Sequence, residues 1–343
     1  MKQFFLCGLA LFLGACVTED IVTTLEFEVN TPYSDSFETV DGMLLPLRTW
    51  FPESSAVGVV IAVHGFNNYS TEFSRAPNSL GLGPLLSKNS FIVYAYDQRG
   101  FGATSSYGQW PGSEKLVDDF KELVLYLRNK YPKLPVHAVG FSMGGAILIE
   151  SVTSLEPASL ESIILVAPAI WGEDTMPWLY RGTLWLANKL VPWFKPSSRR
   201  VRGYASDNID MLRANGIDPL IIKDTRIDSI QGLTRLMNEA AQNIGYVKVP
   251  SLYVYGANDN LIPKRATQKA LLRTGPFINK RRFAYYEDGW HMLLHDLNSE
   301  LVIEDISSFL HNSSASLPSG KDLMALERLT SDIISNPDRL LLR

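Results

Sequence analysis

Three side chains in this sequence have the types and the order needed for nucleophilic catalysis. Ser142 is the centre of Gly140-Phe141-Ser142-Met143-Gly144, between the apolar run Pro135–Val139 and Gly145-Ala146-Ile147-Leu148-Ile149-Glu150, which reads as the start of a helix. A Gly-x-Ser-x-Gly turn from strand to helix lifts the hydroxyl clear of the sheet. Glycine is required two residues before and two after the serine, because a Cβ there would strike the neighbouring backbone. The helix N-terminus favours a developing negative charge at the same point. A serine hydroxyl is a weak nucleophile unless an imidazole takes its proton and a carboxylate orients that imidazole. Asp259 lies in the turn Gly256–Pro263, just past the buried strand pattern Ser251–Tyr255. His291 lies past the next strand pattern, Arg282–Tyr286, after Glu287-Asp288-Gly289-Trp290. Both positions follow C-terminal strand ends, where open α/β sheets keep their sites. Asp288 is a competing carboxylate and His295 a competing imidazole. The loop position after Gly289 favours His291, with His295 expected on the following helix near the site.

A developing alkoxide needs two backbone donors aimed at it. Met143, the residue after the serine, supplies one candidate. The second comes from the loop His64-Gly65-Phe66-Asn67 after the strand pattern Val59–Val63, with the N–H of Phe66 as the candidate. His64 is read as a brace for that loop, and His137, inside the strand feeding Ser142, as a packed core histidine.

These residues, with Asp97-Gln98-Arg99-Gly100-Phe101-Gly102, Gly256-Ala257-Asn258-Asp259 and Trp290-His291-Met292-Leu293, resemble the α/β-hydrolases of the monoacylglycerol lipase and lysophospholipase branch, grouped with the serine aminopeptidase-like hydrolases. The resemblance implies Ser142, Asp259 and His291 as triad, Phe66 and Met143 as oxyanion donors, and a structural role for the segment from Asp97 to Gly102. It implies an ester hydrolase acting on a lysophospholipid or monoacylglycerol. The Phe66-Asn67-Asn68-Tyr69 loop departs from the small residue and Gly-Glu usual in the branch's lipases. Serine aminopeptidase activity is the alternative within the fold, with Glu173-Asp174 as the acidic pair for an amino terminus. A non-catalytic envelope module is the alternative outside enzymes.

The elements expected to position these residues alternate apolar runs with helical patterns. Strands are expected near 36–40, 45–51, 58–63, 91–96, 136–140 and 162–166, with a helix near 114–130. That alternation predicts an α/β class with a mostly parallel, eight-stranded type of sheet and helices on both faces. The hydrolase domain is placed at 36–312; the α/β rhythm breaks between the strand patterns near 163–167 and 251–255, where the resemblance implies an inserted helical cap at about 170–247. Trp171, Trp178, Trp185 and Trp193 fall in the cap, and Met176–Phe194 is apolar on most faces. Tryptophans followed by Lys195, Arg199, Arg200 and Arg202 suit a membrane interface as well as they suit packing on the core.

Hydrophobic residues make up 46% of the chain, enough for a large core, and the net charge of −4 argues against nucleic acid as a partner. The five histidines show no metal-ligand spacing, and no cofactor is implied. Residues 1–15 read as a leader: Met1-Lys2-Gln3, then apolar Phe4–Leu13, then Gly14-Ala15. Leu13-Gly14-Ala15-Cys16 resembles a bacterial lipobox, which implies lipidation of Cys16, a tether over 16–35 and anchoring in the cell envelope, at the outer membrane because Val17 rather than Asp follows. Cys7 is the other cysteine and falls in the leader. The tail, 313–343, is expected to be an exposed helix.

Overall fold

The computed structural model describes residues 32–156, 159–196, 204–273 and 278–334. Cys16, residues 1–15, most of the tether, Arg199, Arg200, Arg202 and the end of the tail lie outside the described residues.

The strands are β1 Asp35–Glu38, β2 Leu44–Trp50, β3 Gly58–Val63, β4 Phe91–Tyr96, β5 Val136–Phe141, β6 Ser162–Val166, β7 Ser251–Gly256 and β8 Arg281–Tyr286. They form one sheet in the order β1-β2-β4-β3-β5-β6-β7-β8. β2 runs antiparallel to β1 and β4, and the other pairs are parallel. β3, β4, β5, β6 and β7 are buried along their whole length. Strands covered on both faces read as unbroken apolar runs, which is why their positions are visible in the sequence.

The helices are α1 Leu82–Lys88, α2 Ser113–Lys130, α3 Met143–Ser154, α4 Trp178–Leu190, α5 Ile209–Ile217, α6 Ile227–Asn243, α7 Lys264–Leu272, α8 Ser299–His311 and α9 Ala325–Ile334. One core packs α2, α3, α6 and α7 on one face of the sheet. The second packs α1, α5 and α8 on the other. The alternation predicts a mostly parallel sheet with helices, and that is what forms; the arrangement is the α/β-hydrolase one that the resemblance implies. β3 pairs with β4 on one side and β5 on the other, so the chain reverses its direction of winding between β3 and β5. Loops diverge at such a point and leave a crevice beyond the strand ends.

The stretch between β6 and β7 carries α4, α5 and α6. α6 is embedded rather than perched. Its Ile230, Leu233, Leu236 and Met237 are buried, and a Cβ on Gly232 would meet the Trp110 ring. α4 buries Tyr180 and Leu184, and Trp171 is buried and stacked on Tyr180 with ring centroids 6.3 Å apart.

Two boundaries differ from the sequence reading. Residues at the end of the expected tether belong to the fold, because the Tyr33 hydroxyl donates to Asp97 at 2.6 Å and Ser34 N–H to Leu47 O at 2.8 Å. The tail helix is not wholly exposed. Ala325 and Leu329 of α9 are buried beside β8, and Gln268 Nε2 donates to Leu329 O at 2.6 Å. Apolar residues at i and i+4 give α9 one adhesive face, and the sheet edge supplies the surface for it.

Candidate active site

Ser142 stands at φ +49°, ψ −111°, a strained conformation for a residue with a side chain. The surroundings hold it there. Ser142 N–H donates to Val166 O at 2.9 Å, and its carbonyl accepts from Ala169 N–H at 2.9 Å and Ala146 N–H at 3.3 Å. A Cβ on Gly140 would lie 2.6 Å from the Gly144 backbone, and one on Gly144 would strike the Val63 carbonyl. Both glycines of the motif are therefore steric requirements.

The hydroxyl of Ser142 is 3.1 Å from His291 Nε2, and His291 Nδ1 is 2.8 Å from Asp259 Oδ2. All three residues are buried. The other oxygen of Asp259 accepts the N–H groups of Leu261 at 2.9 Å and Ile262 at 3.1 Å. That leaves Oδ2 for the imidazole and selects the tautomer with its proton on Nδ1, so Nε2 faces Ser142 with a lone pair. The two loops are joined directly, because Asn258 N–H donates to Gly289 O at 2.8 Å. A Cβ on Gly256 would lie 2.5 Å from Trp290 O, so glycine is what lets the Asp259 and His291 loops approach. Asp288 is exposed and takes no part in this chain of contacts.

The 64–66 turn leaves β3 beside the start of Ser142's turn, Val63 being paired with Gly140. The Gly65 Cβ position lies 3.4 Å from Ser142 Cβ and 3.0 Å from the Phe141 ring. Phe66 is half-buried against Phe101 and Trp110. Met143 is the first residue of α3, so its N–H has no acceptor within the helix. His64 is fully buried; its Nδ1–H donates to Gly65 O at 2.8 Å and its Nε2 accepts from Gln98 N–H at 3.0 Å. Burial lowers its pKa to about 4, so it stays a neutral brace. Asp97 holds the same loop from the other side, accepting from Ser70 N–H at 3.0 Å, Ser70 Oγ at 2.5 Å and Ala103 N–H at 2.8 Å.

His295 lies in a run of turns before α8, not on a helix. Its Nε2–H donates to Glu72 O at 2.5 Å, and Nδ1 accepts from Ser79 Oγ at 3.3 Å. Burial lowers its pKa to about 4 and raises that of neighbouring Glu72, which accepts from Asn68, to about 8. Spacing along the sequence does not single out Glu72, whose carboxyl is brought there by tertiary contacts. His137 is buried and bonded to Ser162 Oγ at 2.8 Å.

Residues 54–298 match the family model described as serine aminopeptidase, S33. The chain belongs to this family of hydrolases. This S33-family chain is 24% identical over 283 residues to a monoacylglycerol lipase of Mycolicibacterium smegmatis, covering 82% of this chain and 98% of that one. It is 25% identical over 301 residues to a monoglyceride lipase of Rattus norvegicus, covering 83% and 93%. Among solved structures it resembles a soluble variant of monoglyceride lipase from Saccharomyces cerevisiae, with TM-score 0.68 and 19% identity over 84% of this chain and 98% of that one. Kinship makes this chain a serine ester hydrolase.

Proposed function

We propose that this hydrolase cleaves single-chain lipid esters, lysophospholipids or monoacylglycerols, at a bacterial membrane surface. The relay Ser142–His291–Asp259, with distances of 3.1 and 2.8 Å, carries the catalytic part of the reading. Ser142 Oγ attacks the ester carbonyl carbon while His291 Nε2 takes its proton. The N–H groups of Met143 and Phe66 hold the oxyanion. As the tetrahedral intermediate collapses, His291 returns the proton to the leaving alcohol, and the acyl group stays on Ser142. Water, deprotonated by His291, releases the acid and restores the serine. Asp259 keeps the imidazole oriented and stabilises its charged form.

The face of α4 carries the reading on substrate. Trp178 and Trp185 lie seven residues apart on one side of the helix, with Leu179, Leu186 and Leu190 beside them, and all are exposed; Trp178 retains 80% of its accessible surface. Trp193 and Phe194 extend the patch. No Asp or Glu occurs between Thr175 and Ser206, whereas Arg181, Lys189, Lys195, Arg199, Arg200 and Arg202 do. Exposed tryptophans with basic neighbours favour an interface of acyl chains and anionic head groups. Glu173 and Asp174 do not favour the aminopeptidase alternative. Glu173 is paired with Arg181 at 2.6 Å, and Asp174 with Lys269 at 3.2 Å and with Arg273. Lipidated Cys16 would hold the enzyme at the same surface, in the envelope at the outer membrane. Among the described residues no helix is long and apolar enough to cross a membrane.

A fluorophosphonate probe tests the chemistry, and its adduct is expected on Ser142; absence of labelling favours the envelope module. Hydrolysis of lysophospholipid, monoacylglycerol, short-chain ester and aminoacyl anilide tests the substrate. The lipid esters are expected to be preferred, and preference for the anilide overturns the lipid reading. Cys16→Ser is expected to release the enzyme from membranes without loss of turnover on a soluble ester. Membrane retention of that variant through a high-salt wash counts against the anchor.

A further inference from the structure

Asp296 is a buried carboxylate with no part in the relay above, yet it contacts the residue next to His291. Its Oδ2 accepts from Trp290 N–H at 2.7 Å, and its Oδ1 accepts from Ser206 Oγ at 2.6 Å. On the other side of His291, Met292 N–H donates to Ala205 O at 2.9 Å. The same short segment continues the contact: Leu297 N–H donates to Asp207 Oδ1 at 2.9 Å, and Asn208 Nδ2 donates to His295 O at 2.8 Å and Pro77 O at 2.7 Å. Residues 205–208 belong to the insertion between β6 and β7, a few residues before α5. The backbone on both sides of the imidazole is thus held by, or through, the insertion.

We propose that Asp296 is a positioning residue for His291 and that Ser206 and Ala205 extend this role to the insertion, so that residues 205–208 and the general base move as one unit. The proposal rests on the triad reading above. The two amide bonds fix the path of the chain through His291 and with it the approach of Nε2 to Ser142. A misplacement of about 1 Å there costs on the order of a hundredfold in rate. A carboxylate accepting a backbone N–H forms a charge-assisted bond, stronger than a neutral one. Asp296 also interacts electrostatically with His291, which lowers the Asp296 pKa. Its environment is balanced between opposing groups. Burial raises its pKa to about 6, the hydrogen bonds from Ser206 and Trp290 lower it, Asp207 raises it and His291 lowers it.

Asp296→Asn keeps the shape, accepts the Trp290 N–H and removes the charge. Rates on a soluble short-chain ester across pH, with melting curves, test it in the full-length protein. The variant is expected to fold, to lose about tenfold in kcat with KM within about twofold, and to move the acid limb of kcat/KM. Ser206→Ala, which leaves the charge and removes one hydrogen bond, is expected to lose about threefold in kcat at unchanged KM. An acid limb and kcat unmoved in Asp296→Asn, or a loss matched by the unfolded fraction, overturns the proposal. If Asp296→Asn does not fold, unchanged kcat in Ser206→Ala overturns it. Full activity of His291→Ala overturns the triad reading and this proposal together; an inactive His291→Ala beside a wild-type Asp296→Asn overturns this proposal alone.

Discussion

The turn at Ser142 and the outer face of α4 belong to one protein and are built on opposite terms. Around Ser142 each added atom has something to strike: the Gly144 backbone, the Val63 carbonyl, Pro168 against Gly145. The strain at φ +49° persists because hydrogen bonds from three directions leave the residue no other place. On α4, a Cβ at Gly182 would meet nothing within 4 Å, and the tryptophans on either side of it face outwards. The first region is defined by contacts within the chain. The second leaves large apolar side chains exposed, as surfaces that meet a partner do.

The comparison breaks most visibly at Ser142. Ser142→Ala fits the turn and is expected to cut ester turnover at least ~10³-fold, with melting temperature near that of the wild type. A folded, active Ser142→Ala would remove this serine from the chemistry. Gly144→Ala has the opposite signature. Its new methyl meets the Val63 carbonyl, backbone that cannot turn aside, so a loss of about 3 kcal/mol in urea unfolding is expected. Stability within about 0.5 kcal/mol of the wild type would mean that the turn is looser than its contacts imply.

Changing Trp178 and Trp185 together to Ser sharpens the other half. Interfacial burial of each ring contributes on the order of 1–3 kcal/mol, so turnover on long-chain ester in vesicles is expected to fall roughly tenfold or more. Turnover on a soluble ester and thermal stability should hold. Equal losses on both substrates with a lower melting temperature would make α4 an ordinary structural lid.

A further effect lies in pH. Burial lowers the pKa values of His64, His137 and His295 to about 4, from 6.5. The unfolded chain therefore binds these protons first, and stability is expected to fall as pH drops from 6.5 towards 4. Glu72, raised by burial to about 8, acts the other way and draws stability down as pH rises from 4.5 towards 8. Urea midpoints measured across this range should peak near neutrality. A midpoint that climbs steadily into acid would show that the histidines are not buried as neutral rings.

Much of this was legible along the chain, for reasons that particular residues make plain. The buried strands stand out because both faces are covered and alternation disappears. The turn at Ser142 stands out because its steric demand is local and falls on glycines at fixed spacing. Asp259 and His291 are visible because each follows a strand end, but their separation from the rivals Asp288 and His295 is not. Exposure excludes Asp288, and the bonds to Glu72 and Ser79 occupy His295.

What the sequence by itself determined is the set of segments with short-range causes: the parallel strand pattern, the tight turn, the apolar insertion and the order of Ser142, Asp259 and His291. Only the tertiary structure decided what depends on partners far along the chain. It brought Ser206 to Asp296, 90 residues further along the chain, docked the face of α9 against β8, and turned Trp171 inwards while leaving Trp178 and Trp185 outside. Periodicity records which residues share a face of one element. It carries no information about which other element, if any, comes to cover that face, because that contact is made by residues the local pattern does not contain.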